Sequence, residues 1–311
     1  MSTSTSSSRH LGDQTFAVAL TALGGLVLVI AGVIVFVTYR LATPLFTKVG
    51  LLSFLRGSDW NPVEDSFGAL PFIYGTLVTA LTAVVVAVPI AVGLALFLTE
   101  MASSRLRQFV SFFVEMLASI PSVVYGLWGL MVMVPLLRGS VQPFLARTLG
   151  FLPIFSGPPM GIGLLAAGLL LSIMILPTIA SVTIEVLRTM PPALREGALA
   201  LGSTRWEAIR MVVVPYASRG IMGAVILGLA RALGETMAVT MVIGNQPEIH
   251  ASLFAAGYSL PSVIANEFAE ATGDVHTGAL AALALVLFGV TLLLSAAARI
   301  LVRLSSSGVK S

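Results

Sequence analysis

The chain has 311 residues, of which 57% are hydrophobic and 10% charged, against roughly 25% charged in soluble domains, so a water-facing globular fold is excluded. Its formal charge of +3 is small, so the position of the charges matters more than their sum, and the complete lack of cysteine excludes disulfides, thiolate zinc sites and cysteine nucleophiles.

Residues 1–15, opening on Met1 and STSTSSS, are too polar to bury anything and are predicted as a flexible tail. Six apolar segments follow, at 16–39, 70–99, 108–137, 161–184, 220–244 and 277–298. Each reaches the ~20 residues that cross a ~30 Å hydrocarbon core. The first is too long for a secretory signal and has no convincing cleavage site, so it reads as a retained anchor. The expected fold class is therefore all-α: a polytopic membrane helix bundle over 16–303 with a short tail at 304–311. With both termini in the cytosol, eleven Lys and Arg fall on the inner side and five on the outer, as the positive-inside rule requires. The outer connections, 40–69, 138–160 and 245–276, are long, and two readings stand for them: solvated linkers, or a docking rim for an external protein.

Thr76 and Thr79 on the second span could donate to an anion, although threonines in membrane helices commonly bond their own backbone. In the third span Glu115 is positioned to snorkel to the inner surface, and Pro121 is expected to interrupt the helix beside Ser119, Ser122 and Tyr125. Between the fourth and fifth spans, about 188–214, lies a polar insert. Pro191 and Pro192 suit a helix start, Gly202 a left-handed stop, and Thr204 with Glu207 a capping box; Pro215 is expected to end the second helix. The prediction is helix, sharp turn, helix.

The fifth span carries Arg231 and Glu235, whose i, i+4 spacing places them on one helix face, with Thr236 and Thr240 close by. Intramembrane charges are costly enough to need a partner or a wet cavity. Two readings stand: a neutralised packing pair, or a guanidinium that attracts an oxyanion while Glu235 holds it. Gly220, Ala224, Gly228 and Ala232 form a small-residue stripe for close helix approach. Enzyme chemistry finds no support, because neither Lys48 nor Lys310 follows a glycine as a P-loop demands, and His10, His250 and His276 lack zinc-ligand spacing. The basic residues are scattered among acids without an aromatic-interleaved patch, so no nucleic acid is expected as a partner.

The spacing of Glu196, Gly197, Ala198, Gly202, Val212 and Pro215 resembles the EAA loop of importer-type ABC permeases. FGALPFIYGTLVTA at 67–80, SIPSVVYGLWGL at 119–130, REGALALGSTRWEAI at 195–209 and RALGETMAVTMVIGN at 231–245 are together similar to the PstC family, permease subunits of bacterial phosphate ABC importers. The similarity runs over about 16–303; Gly197 departs from the alanine of the general EAA motif. The resemblance implies a type I importer permease in the bacterial inner membrane, partnered by a PstA-like permease, a PstB-like ATPase dimer and a PstS-like phosphate-binding protein. It implies that ATP and magnesium are used by the ATPase partner and that no cofactor is bound by this chain. Residue by residue, it places phosphate passage at Arg231 and Glu235; Thr76, Ser122, Tyr125 and Thr236 are weaker pathway candidates on the chemistry of their hydroxyls alone. ATPase docking is placed at Glu196, Gly197, Ala198, Gly202 and Glu207. On chemistry alone, sulfate, molybdate or phosphonate fits an arginine as well as phosphate does, and a non-transporting membrane scaffold also stays open.

Overall fold

A computed structural model describes the backbone of residues 6–306 and the side chains of 15–300. In hydrocarbon every amide must find its partner within its own segment, and a chain this apolar satisfies that demand with helices. In chain order they are α1 (Ser6–Lys48), α2 (Leu51–Arg56), a small antiparallel hairpin of β1 (Trp60–Asn61) and β2 (Ser66–Phe67), α3 (Leu70–Leu96), α4 (Ser104–Ser119), α5 (Ser122–Trp128), α6 (Val134–Leu136), α7 (Gln142–Leu149) and α8 (Leu164–Arg188). After them come α9 (Pro192–Ala200), α10 (Arg205–Ala208), α11 (Val214–Gly234), α12 (Met237–Thr240), α13 (Leu260–Glu267) and α14 (Asp274–Ser306).

Among the described residues, six continuous helical rods are long and apolar enough to cross a membrane: Thr15–Lys48, Leu70–Met101, Ser122–Leu149, Leu164–Arg188, Arg205–Gly234 and Asp274–Ile300. The expected number of spans stands; several boundaries do not. The tail predicted over 1–15 is helical from Ser6, because a long apolar helix extends into polar residues far more easily than a new one nucleates. Residues 1–5 and 307–311 lie outside the described residues. The third span is not 108–137: α4 ends at Ser119, and Pro121, in extended conformation, starts a separate rod at Ser122. Proline has no amide to continue the first helix but suits the start of the second.

Pro215, by contrast, does not end a helix. Three π-turns, Gly129–Met133, Leu137–Val141 and Ile209–Val213, each stop two residues before a proline, at Pro135, Pro143 and Pro215. Widening the preceding turn accommodates the missing N–H and the proline ring, so the helix carries on. As a result α10 and α11 form one rod from Arg205 to Gly234.

The centre of the bundle is α8, with α3 and α11 packed along it. Ala83, Ala87, Ala91 and Ala95 of α3 repeat every four residues and are fully buried. The stripe predicted on α11 meets α8: a Cβ on Gly220 would stand 2.3 Å from Val186 Cγ1, and one on Gly228 would stand 2.6 Å from Ile179 Cγ1. Gly168 of α8 is equally tight against Thr82 of α3, at 2.6 Å. A second core at one end joins the last turns of α1 to the hairpin, α13 and the start of α14. There Trp60 Nε1 donates to Glu267 Oε2 at 2.9 Å, and His276 Nε2 lies 3.2 Å from the same oxygen. The return loop after α12 closes over α8, whose first amides at Gly163, Leu164 and Leu165 donate to the carbonyls of Val242, Ala255 and Leu253. Helix-end donors that no intrahelical carbonyl can reach are thereby satisfied.

Candidate functional site

The decisive feature is where α11 stops. It ends at Gly234; Glu235 is extended, with φ −72° and ψ 126°, and the four-residue α12 follows. Arg231 sits on the last turn of α11 and donates from Nη1 to Thr178 Oγ1 at 2.9 Å. Thr178 lies on α8 between Leu164 and Arg188, about 21 Å along the axis from one end and about 15 Å from the other at 1.5 Å per residue. The guanidinium is therefore held near the middle of the bundle, half-buried, where the helix ladder of its own span has ended.

This overturns the predicted Arg231–Glu235 pair. The i, i+4 geometry requires one continuous helix, and the break at Gly234 swings Glu235 off that face. No ion pair joins the two among the described residues. Glu235 Oε1 instead accepts from the Ala238 amide at 3.4 Å, at the start of α12. The partner sequence reasoning missed is Thr178, whose only signal was a hydroxyl directly after Pro177 halfway along the fourth span.

The other candidates divide. Tyr125, buried on α5, lies within electrostatic reach of Arg231 and donates its hydroxyl to the Leu117 carbonyl at 2.8 Å. Its own rod packs closely on the break, since a Cβ on Gly126 would stand 3.0 Å from Ala238 Cα. Ser122 opens α5 and is half-buried, and Thr236 Oγ1 donates locally to the Gly234 carbonyl at 3.3 Å. Thr76 does not join them. Its hydroxyl donates to the Phe72 carbonyl and accepts from the Leu260 amide, both at 2.8 Å, so it fastens α13 to α3 and is spent on structure. Thr79 bonds the Gly75 carbonyl of its own helix. Glu115 is on α4, which is not one of the six rods, and lines a cleft with Ser111, Glu185 and Arg188.

The second element is the polar insert. Gly202 takes φ +88°, and Thr204 and Glu207 form both halves of the capping box. The turn is closed further by Ser203 Oγ donating to the Ala198 carbonyl. Glu196 and Glu207 are exposed, and a Cβ on Gly197 would meet nothing within 4 Å, so this side of α9 is open. In the same insert the large apolar side chains of Leu201, Trp206 and Met211 are 91%, 67% and 71% exposed, among charged neighbours in sequence. Among the described residues, no three His, Asp or Glu side chains gather where a metal could be held.

A family model described as "Binding-protein-dependent transport system inner membrane component" matches residues 87–307. The phosphate transport system permease protein PstC of Mesorhizobium japonicum is 47% identical over 293 residues, covering 93% of this chain and 89% of its own. The protein of the same name from Pasteurella multocida is 50% identical over 254 residues, covering 80% and 79%. A bacterial alginate ABC transporter, solved in complex with an alginate pentasaccharide-bound periplasmic protein, aligns over 92% of both chains with a TM-score of 0.60 at 18% identity. An inward-facing MetNI methionine ABC transporter aligns over 76% of this chain and 93% of its own with a TM-score of 0.52 at 22% identity. At those identities the two structures share the fold.

Proposed function

From this chain's membership of the binding-protein-dependent transport system inner membrane components, we propose that it is the multi-pass inner-membrane permease subunit through which an ABC importer moves inorganic phosphate into the cell. The observation that carries the proposal is Arg231, held by Thr178 at mid-bundle beside a helix end. A guanidinium has five N–H donors in a planar fork that matches phosphate oxygens, and the Thr178 contact uses one of them. Because Glu235 does not contact it, the positive charge is not cancelled by its nearest acid in sequence. Thr236 supplies a further hydroxyl at the same break and Tyr125 another near Arg231, on the helix that Ser122 opens. A site of this kind binds an anion briefly and lets it go, which suits a pathway better than a trap.

Both termini are taken as cytosolic, so the α9–α10 insert faces the cytosol. There Glu196, Gly197, Ala198, Gly202 and Glu207, with the exposed Leu201, Trp206 and Met211 of the same insert, dock a PstB-like ATPase dimer. ATP and magnesium act in that partner. A PstA-like permease completes the membrane pair, and a PstS-like protein delivers phosphate to the outer loops. ATP-driven closure of the ATPases moves α9 and α10 and switches the bundle between outward and inward access.

The test is ATP-dependent uptake of labelled phosphate by vesicles holding this chain with its permease, ATPase and binding-protein partners, with sulfate and molybdate as competitors. Selective phosphate uptake that vanishes in Arg231→Gln, with the complex still assembled, is the expected result. Preference for a competitor overturns the substrate; uptake that persists in the variant overturns the site.

A further inference from the structure

The insert is tied to the membrane bundle by a contact outside the EAA-like spacing. α9 buries none of its residues completely. Yet Arg195, one residue before Glu196, donates from Nη2 to Glu100 Oε1 at 2.5 Å. The Glu100 side chain is only 5% exposed, while that of Arg195 is 35% exposed. Glu100 lies in the π-turn Phe97–Met101 that finishes the second rod, directly after α3. That end is clasped from the other side, because Arg107 of α4 donates from Nε to the Leu98 carbonyl at 2.7 Å and from Nη2 to the Thr99 carbonyl at 3.3 Å.

We propose that Arg195 and Glu100 are the positioning pair through which movement of the docking helix α9 is passed to α3. The inference rests on the reading of α9 as an ATPase-docking helix. Three observations support it. A buried carboxylate is costly without a charged partner, so Glu100 strongly resists separation from Arg195. Arg195 Nε is itself buried without an acceptor, and a cleft lined by Glu100, Arg195, Leu199, Arg205, Ala208 and Ile209 lies beside the pair. The fork therefore has both an unmet donor and room to close on the carboxylate with two bonds when α9 shifts. Beyond Glu100 the path is rigid: the buried alanine row of α3 lies against α8, and α8 carries Thr178, the anchor of Arg231. A contiguous packed route of this sort can couple distant sites.

The test uses the reconstituted importer and reads phosphate taken up per ATP hydrolysed. Glu100→Gln keeps the shape and removes the charge. It is expected to lower that ratio about tenfold, within the usual range of coupling between sites, while basal ATP hydrolysis and subunit stoichiometry stay unchanged. Because the chain has no cysteine, Glu100→Cys with Arg195→Cys places the only thiol pair of this subunit, in an importer whose other subunits are made cysteine-free. Bridging it with a short bifunctional thiol reagent is expected to restore the ratio in the same sample that lost it. An unchanged ratio in Glu100→Gln, a bridge that forms without recovery, or thiols that cannot be bridged each overturn the proposal. The docking reading fails separately, if Leu201→Glu with Trp206→Glu still co-purifies the ATPase at full stoichiometry.

Discussion

α1 and α8 are both long and apolar, and they meet opposite fates. In the most apolar 18-residue window of α8, 67% of positions are buried within the chain; in that of α1 none are. Apolar character did not decide this, since lipid tails solvate leucine as well as another helix does. Fit decided it. α8 faces Gly220, Gly228 and the alanine row of α3, where backbones come close, and it carries polar anchors such as Thr178. α1 buries Ala42 and Leu45 near its end, where Gly278 of α14 lets it approach, while Leu28 and Val27 stay 74% and 65% exposed.

The sharpest way to break the close-packed side of this comparison is Gly75→Ala. The added Cβ would stand 2.2 Å from the Tyr258 carbonyl oxygen, a backbone atom that cannot turn aside. Overpacking of this kind costs about 1–3 kcal/mol or more. A clear fall in the melting temperature of the detergent-purified chain is expected. Gly93→Ala, on the same helix with nothing within 4 Å of the new atom, is expected to be neutral or stabilising, since Ala exceeds Gly in helix propensity by ~1 kcal/mol. Equal losses in both variants would show that the α3 contacts do not depend on close approach.

The same contrast explains what could be read from the sequence. Span number and type were legible because length and apolar content set them, and the caps at Gly202 and Thr204 were legible because their chemistry is local. The Arg231–Glu235 pair was misjudged because α11 stops at Gly234 inside an apolar run, with neither a proline nor a left-handed glycine to mark the stop. The two prolines divide: Pro121 interrupts the helix as expected, whereas Pro215 ends none, and the π-turn before Pro215 leaves no signature in composition.

Thr178 sharpens the polar half of the comparison. Thr178→Val keeps the shape of the side chain and removes the acceptor of Arg231. Hydrogen bonds to charged groups contribute about 1.5–3 kcal/mol, so loss of this one is expected to reduce phosphate uptake by roughly tenfold or more. Thr178→Ser restores the acceptor and is expected to restore most of the rate. Rescue of uptake in Thr178→Ser, which keeps the hydroxyl but loses the methyl group, separates positioning of the guanidinium from a packing defect. Wild-type uptake in Thr178→Val would mean that Arg231 holds its place without this bond.

The smallest effect is expected on α1, and it is informative for that reason. Leu28→Ala removes a side chain that touches little of its own chain, so the isolated chain should lose no more than about 0.5 kcal/mol, the range of substitutions away from packed features. The comparison to make is between the isolated chain and the assembled importer. If neither melts earlier, α1 meets lipid along its length, and its apolar character serves insertion alone. If only the assembled complex melts earlier, a neighbouring subunit covers α1, and close fit governs this helix as well, with the small residues supplied by the partner.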